Sequence, residues 1–125
     1  MKGDEDKVRE VCRKYRSARQ AIQIAVKGVA TIQKKIESAE TDHERKLYES
    51  ALERKQEEVR ILNDIIKTFS TCIDVLPADE RSVVEQIYVK GKKWRDVTDL
   101  QGNTLPLSQS INIWKRARRK MAAYV

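Results

Sequence analysis

Apolar residues recur at alternating steps of three and four along the first third of the chain. The pattern begins at Val8 and continues to Ala39, which is more than four heptads. Apolar positions at this spacing form one stripe on a helix and are typical of a coiled coil or a helical bundle. We therefore predict a long first helix whose buried stripe consists of Val8, Val11, Tyr15, Ala18, Ile22, Ala25, Val29, Ile32, Ile36 and Ala39.

A second stripe with the same spacing follows a polar break at residues 38–44. Thr41 or Asp42 can cap a new helix there, since short polar side chains bond the free N–H groups of a first turn. Lys55 occupies the one stripe position expected to be apolar, so it either fixes the register of helix association or packs its aliphatic stem. A short turn between two long helices predicts an antiparallel hairpin. The second stripe consists of Tyr48, Leu52, Val59, Leu62, Ile66, Phe69, Ile73 and Leu76.

Further apolar residues lie beside the two stripes, and an isolated hairpin would leave them in water. They are Ile24, Val26, Leu47, Ile61 and Ile65. Association of two hairpins into a four-helix bundle would cover them, so we predict a homodimer. The alternative is that the C-terminal part of the same chain folds back over the hairpin.

The rest of the chain predicts three shorter helices. Pro77 ends the preceding helix and starts the next one, which we expect to end near Gly91. Another helix is predicted over Lys93–Leu100, and the last helix follows a loop; two short helices around a turn are the layout of a helix-turn-helix. The predicted fold class is all-α, with a long antiparallel helical hairpin over residues 1–76 and a three-helix helix-turn-helix module over residues 77–125. The inward residues predicted for the three helices are Val83, Val84, Ile87 and Tyr88, then Trp94, Val97 and Leu100, then Leu107, Ile111, Trp114, Arg118 and Met121.

Net positive charge is confined to the C-terminal part of the chain. The stretch Lys90–Lys120 holds nine basic and two acidic residues, so its net charge of +7 equals that of the whole protein. The first 89 residues carry 17 basic and 17 acidic side chains. A localised basic surface attracts the phosphates of double-stranded DNA, because Lys and Arg displace its condensed counterions. The alternatives are a solvated helix end, which also favours cations, and RNA or another acidic partner.

Polar residues near the start of the last helix are the candidates for contact with DNA bases. Gln109 and Asn112 can pair bidentately with adenine, and Ser110 lies between them. Lys115 and Arg116 are candidates for a base edge or a phosphate, and the cations before and after them are expected to hold the DNA backbone. The full predicted DNA-binding set is Lys92, Lys93, Arg95, Ser108, Gln109, Ser110, Asn112, Lys115, Arg116, Arg119 and Lys120.

The sequence offers no set of residues typical of an active site. It has no glycine-rich phosphate loop, no Ser/His/Asp set and no pair of histidines at metal-binding spacing. Cys12 and Cys72 have no CxxC partner, and we interpret both as reduced thiols at the edge of the helical core. We therefore predict no catalytic residue, no metal and no cofactor. The N-terminus has no apolar signal core and no run of about 18 apolar residues occurs, so a cytoplasmic location is expected.

Several C-terminal positions resemble region four of bacterial sigma factors. The matching residues are Leu76-Pro77, Glu80-Arg81, Val84, Tyr88, Gly91, Trp94, Asp96-Val97, Leu100 and Arg116-Ala117. The whole chain is similar to phage late-gene transcriptional activators of the ArpU and RinA type, which place a helical N-terminal half before such a module. The resemblance implies a sequence-specific DNA-binding regulator at the nucleoid of a bacterial host, with RNA polymerase as a candidate partner.

The spacing within the module departs from the sigma-type pattern. Leu100 and Ser108 are eight positions apart, which is a larger separation than sigma-type modules have at this point, so a longer turn is expected. Two other functions fit the same helical and basic pattern. One is a small terminase-like DNA-packaging adaptor whose hairpin drives ring assembly, and the other is a coiled-coil protein that binds RNA polymerase.

Overall fold

The computed structural model describes residues 2–125, and this part of the chain is all-α, as the sequence predicts. No β-strand is present in these residues. None of the helices they form has the length and apolar character needed to cross a bilayer. The helices are α1 (Lys2–Glu37), α2 (Asp42–Asp74), α3 (Ala78–Tyr88) and α4 (Leu107–Met121), with single 3-10 turns at Trp94–Asp96 and Ala122–Tyr124.

The chain divides into two compact units, and their boundaries differ from the predicted division between residues 76 and 77. The hairpin unit is Ser17–Ile65, which is the distal part of α1 and the proximal part of α2. The terminal unit combines the chain up to Arg16 with Ile66–Val125. The two long helices therefore each contribute one end to the compact unit that contains α3 and α4.

The core of the terminal unit explains why the ends of α1 and α2 belong to it. The ring of Tyr15 on α1 stacks on that of Phe69 on α2, with centroids 4.0 Å apart. A single apolar cluster then joins these two helices to α3 and α4, because a module as short as residues 77–125 could bury little core by itself. In this unit the C-terminal segment packs on the first turns of α1 and the last turns of α2, but it does not cover the flanking residues Ile24, Val26, Leu47 and Ile61, which stay exposed. The cluster consists of Val8, Cys12, Tyr15, Phe69, Cys72, Ile73, Leu76, Val84, Trp114, Ala117 and Met121.

The hairpin unit is antiparallel and is joined by a capped turn. The Thr41 hydroxyl accepts a hydrogen bond from the Glu44 N–H at 3.1 Å, and the Glu44 carboxylate accepts one from the Glu40 N–H at 3.4 Å. This is a capping box with one shifted member, and it starts α2 where a polar cap was predicted. The Lys55 stem lies against Gly28, while its ammonium pairs with Glu58 at 3.0 Å. Lys55 thus has the packed stem that was one of its two interpretations.

The prediction of a helix over Lys93–Leu100 is wrong, because only the 3-10 turn at Trp94–Asp96 forms there. Thr98 instead pairs with Thr104 in an isolated antiparallel bridge, and the predicted inward residue Leu100 is 59% exposed. The Asp99 carboxylate accepts hydrogen bonds from the N–H groups of Gln101 and Asn103 at 3.0 and 2.9 Å. Such an Asp-centred turn competes with helix formation, and a glycine with positive φ completes it at Gly102. Residues 97–105 therefore form a hairpin-shaped loop, which we call the bridge loop.

The bridge loop also changes which face of α4 is buried. Leu107 was predicted to point inward but is exposed, and Ile111 is only partly buried. The buried residues of α4 are Ser110, Ile113, Trp114, Ala117 and Met121. Ile113 packs with Val83 of α3 and with Val97 and Leu105 of the bridge loop. Because this loop covers the Ile113 side, the inner face is rotated from the predicted one.

Candidate nucleic-acid interface

The outer face of α4 carries an exposed ridge of polar and basic side chains. Ser108, Asn112, Lys115 and Arg119 are exposed, and their spacing of four, three and four residues places them on one face of the helix. Gln109 is exposed beside this ridge. These five residues of the predicted DNA-binding set are therefore brought together on one helix and reach the surface.

Ser110 does not belong to this surface, so its prediction as a base-contacting residue is wrong. Its side chain is fully buried, and its hydroxyl oxygen has no hydrogen-bond partner among the described residues. The rotated inner face of α4 is the reason, because Ser110 shares that face with Ile113 and Ala117.

Two cations of the predicted DNA-binding set form ion pairs with acids in the first turn of α3. The Lys120 ammonium lies 2.7 Å from a carboxylate oxygen of the buried Glu80, and the Arg116 guanidinium lies 3.7 Å from Asp79. Ion pairs of this kind reduce the positive charge that is available to attract DNA phosphates. The structure thus separates the basic residues of α4 into a compensated pair and the outward cations Lys115 and Arg119.

The cations that precede α4 are also divided. Lys92, Lys93 and Arg95 are all exposed, but the Lys92 ammonium also donates a hydrogen bond to the Gln86 amide oxygen at 3.1 Å. Gln86 is itself buried and pairs with the Thr98 backbone, accepting from its N–H at 3.0 Å and donating to its carbonyl at 2.9 Å. A buried amide with both polar ends satisfied fixes the bridge loop against α3. Lys92 is therefore part of this support.

An aromatic cluster packs at the buried face of α4. The Trp114 ring lies 5.2 Å from the Tyr88 ring and 6.3 Å from the Trp94 ring, measured between centroids. The two tryptophans thus pack in one core, as predicted. Arg118 lies over the Trp114 ring at 5.9 Å and pairs with Glu5 at 3.2 Å, so α1 holds one side of α4.

Two basic residues of this region were missed by the sequence analysis. Arg9 and Arg13 of α1 line an open cleft of about 360 Å³ beside α4, together with Lys115. They lie about a hundred positions before Lys115 in the sequence, so their proximity to it depends on tertiary packing. Their spacing in the sequence could have indicated a basic face on α1. One face of this helix, beside its apolar stripe, carries Arg9, Arg13 and Arg16.

The two flanks of α4 differ in charge. On the α1 side, the cleft is lined by four cations and no acid; these cations are Arg9, Arg13, Lys115 and Arg118. On the α3 side, a smaller cavity of about 170 Å³ is lined by the acids Asp79 and Asp99 together with Gln109 and apolar residues. These linings make the α1 flank the more favourable side of α4 for a polyanion.

No protein-family model matches this chain, and no curated protein or solved structure matches it significantly. Its function is therefore inferred from α4, from the residues that position this helix, and from the distribution of charge around it.

Proposed function

We propose that this protein is a sequence-specific regulator of transcription that binds double-stranded DNA through α4. The observation that carries the proposal is the exposed ridge of Asn112, Lys115 and Arg119 on a helix whose opposite face is buried in a fixed core. The major groove of B-DNA admits an α-helix and presents a distinct set of donors and acceptors for each base pair. A single helix with this outer face is therefore suited to enter it.

The side chains of the ridge have separate tasks in this proposal. The amides of Asn112 and Gln109 lie in the first half of α4, where helix-turn-helix proteins meet base edges, and each can pair with adenine. Lys115 and Arg119 contact phosphates, which holds the protein in register without selecting sequence. Lys93 and Arg95, next to the packed Trp94, extend the phosphate contacts ahead of α4.

The identity of the regulator follows from the resemblance in the C-terminal sequence. We propose a phage or prophage late-gene activator of the ArpU and RinA type. Support comes from the matching positions, since Glu80 and Val84 are core residues of α3 and Tyr88 packs on Trp114. The bridge loop stands where a sigma-type module has its supporting helix, so the entry of α4 into the groove is set by Gln86 and the loop.

The hairpin unit supplies dimerisation in this account. Ile24, Val26, Leu47 and Ile61 leave much of their side chains in water, with Ile24 74% exposed. Exposed apolar residues in such number mark an interaction surface. A homodimer would place two copies of α4 on one duplex, as in other helix-turn-helix dimers that bind two half-sites.

The experiment that tests the function is selection of bound duplexes from a random DNA pool. The proposal expects enrichment of a defined sequence, followed by tighter binding to that site than to a scrambled duplex of the same length and composition. Enrichment of no sequence, with equal affinity for both duplexes, would contradict sequence-specific regulation.

A further inference from the structure

The cleft between α1 and α4 lies within the terminal unit and is lined almost entirely by cationic and aromatic side chains. Arg9 and Arg13 form its α1 wall, and Lys115 and Trp114 belong to its α4 wall. Arg9, Arg13 and Lys115 are exposed, so their charged ends are accessible. The cleft begins at the outer ridge of α4, because Lys115 is a member of both.

A third arginine on this face of α1 contacts the end of α3. Arg16, one turn further along the same face, lies directly against the backbone of Gly91, which has a φ of +73°. The positive φ favours glycine at this position, and the flexible Arg16 guanidinium occupies the space beside it. This contact joins α1 to the end of α3, and Arg9 and Arg13 precede Arg16 on the same face of α1.

No acid lines the cleft itself, although Asp6 and Glu10 of α1 lie beside Arg9 and Arg13 in a neighbouring cavity. Arg118 is held by Glu5 at 3.2 Å, but Arg9 approaches Asp6 only to 3.9 Å, between two exposed side chains. Among the described residues, neither Arg13 nor Lys115 forms an ion pair. On the other side of α4, Lys120 pairs closely with the buried Glu80, whereas the Arg116–Asp79 pair at 3.7 Å is as exposed as the Arg9–Asp6 pair.

We propose that this cleft is a second DNA-contacting surface, in which Arg9 and Arg13 bind phosphates of the strand that borders the groove entered by α4. The inference rests on the proposed function and assigns to the N-terminal helix a part in DNA binding that lies outside the basic C-terminal stretch. The occupant is a phosphate backbone because Lys115 makes the cleft continuous with the ridge. The acids on the opposite flank leave this side as the favourable path for the strand.

The test compares two double variants of the full chain. Arg9→Gln/Arg13→Gln removes the proposed contacts, and Lys7→Gln/Lys14→Gln removes the same charge from α1 at positions that do not line the cleft. All four residues are exposed, so each variant should keep the wild-type helical signal and melting temperature. Affinity is measured by titration of the selected duplex and of a scrambled one at several salt concentrations.

Two lost phosphate contacts should reduce the slope of log K against log salt by about 1.8. A fourfold rise in salt should therefore weaken the wild type about tenfold more than Arg9→Gln/Arg13→Gln. The loss in affinity should be equal on the selected and the scrambled duplex, because phosphate contacts carry no sequence information. The Lys7→Gln/Lys14→Gln control should keep the wild-type slope.

The possible failures are distinguishable. If the wild type binds its selected site and Arg9→Gln/Arg13→Gln keeps the full salt slope, the cleft does not contact DNA, although the proposed function stands. An equal fall in slope for both variants would mean that net charge acts without a defined site, which also overturns the inference. Loss of binding to polyglutamate with unchanged DNA binding would assign the cleft to an acidic protein instead. If no duplex is selected by the wild type, the proposed function and this inference fail together.

Discussion

The ammonium of Lys120 lies 2.7 Å from a carboxylate oxygen of Glu80, whose side chain is only 3% exposed. The other carboxylate oxygen of Glu80 has no hydrogen-bond partner among the described residues. A buried carboxylate is costly unless a cation compensates it. Lys120 is thereby a structural residue that joins the end of α4 to the start of α3, and its neighbour Arg119 is the outward cation.

Replacement by glutamine should therefore destabilise the protein at Lys120 but not at Arg119. Lys120→Gln leaves the Glu80 carboxylate without its cation, so we expect the free energy of unfolding to fall by about 1–3 kcal/mol. Arg119→Gln removes an exposed charge, so stability should stay within about 0.5 kcal/mol of wild type. Urea unfolding followed by circular dichroism measures both values. Equal stability of the two variants would show that the Lys120 contact contributes nothing.

Truncation of Trp114 should strongly lower the stability of the terminal unit. It is buried and packs on Tyr88, Trp94 and the guanidinium of Arg118. Trp114→Ala should cost about 3–5 kcal/mol, as expected for a buried aromatic residue. Ile111→Ala, on the same helix but only partly buried, is the matched control and should cost much less. A wild-type melting temperature for Trp114→Ala would contradict the observed burial.

The two cysteines should be unreactive in the folded protein. Burial raises the pKa of the Cys12 thiol to about 12, with a further contribution from Cys72, whose own pKa burial also raises. The reactive thiolate is therefore scarce at about pH 8, whereas an unfolded cysteine has a pKa of about 8.5. A disulfide exchange reagent should modify the native chain slowly and the urea-unfolded chain at once. Rapid modification of both thiols in the native chain would contradict this packing.

The same pKa shift predicts a fall in stability at alkaline pH. A thiol whose folded pKa is raised holds its proton more tightly in the folded state, so its stabilising effect is complete below the unfolded pKa. That effect is lost as pH rises from about 8.5 towards about 12. Thermal melting across this range should show a smaller decline for Cys12→Ala than for the wild type. An identical decline would mean that other groups account for it.

The apolar surface of the hairpin unit predicts self-association. Sedimentation of the full chain should show a dimer, and Ile24→Glu/Leu47→Glu should shift it to a monomer, because charges at exposed apolar positions oppose burial. Gln23→Glu, an exposed polar position of α1, is the control and should leave the dimer intact. A monomeric wild type would remove the dimer from the account. A closed ring of many subunits would favour the packaging adaptor instead.

Much of the fold could be predicted from local sequence. The heptad stripes predicted both long helices, and Thr41 was one of the two caps predicted for the start of α2, because caps and apolar periodicity act over a few residues. The bridge loop was missed because Trp94, Val97 and Leu100 have helical spacing. Two turn residues, Asp99 and Gly102, are present in the sequence of this segment. The hydrogen bonds of Asp99 and the positive φ of Gly102 favour a turn over a helix.

The candidate site was predictable only in part, since its members depend on tertiary packing. α4 has apolar residues on more than one side, and the side that is buried depends on the bridge loop that covers it. The burial of Ser110 could therefore not be predicted from the pattern of α4 alone. The pairing of Lys120 with Glu80, and the position of Arg9 and Arg13 beside Lys115, join residues that are far apart in the chain. Charge counting alone therefore could not divide the cations by role.

The most direct test of the account is the titration of Asn112→Ala and Gln109→Ala against a selected duplex and a scrambled one. The control is Gln20→Ala, an exposed amide of the hairpin unit. If these amides on α4 contact base edges, each variant should lose about 1–3 kcal/mol of binding free energy on the selected duplex and little on the scrambled one. The control should bind both duplexes as the wild type does. Equal losses on both duplexes, or no loss on either, would contradict the claim that α4 recognises DNA sequence.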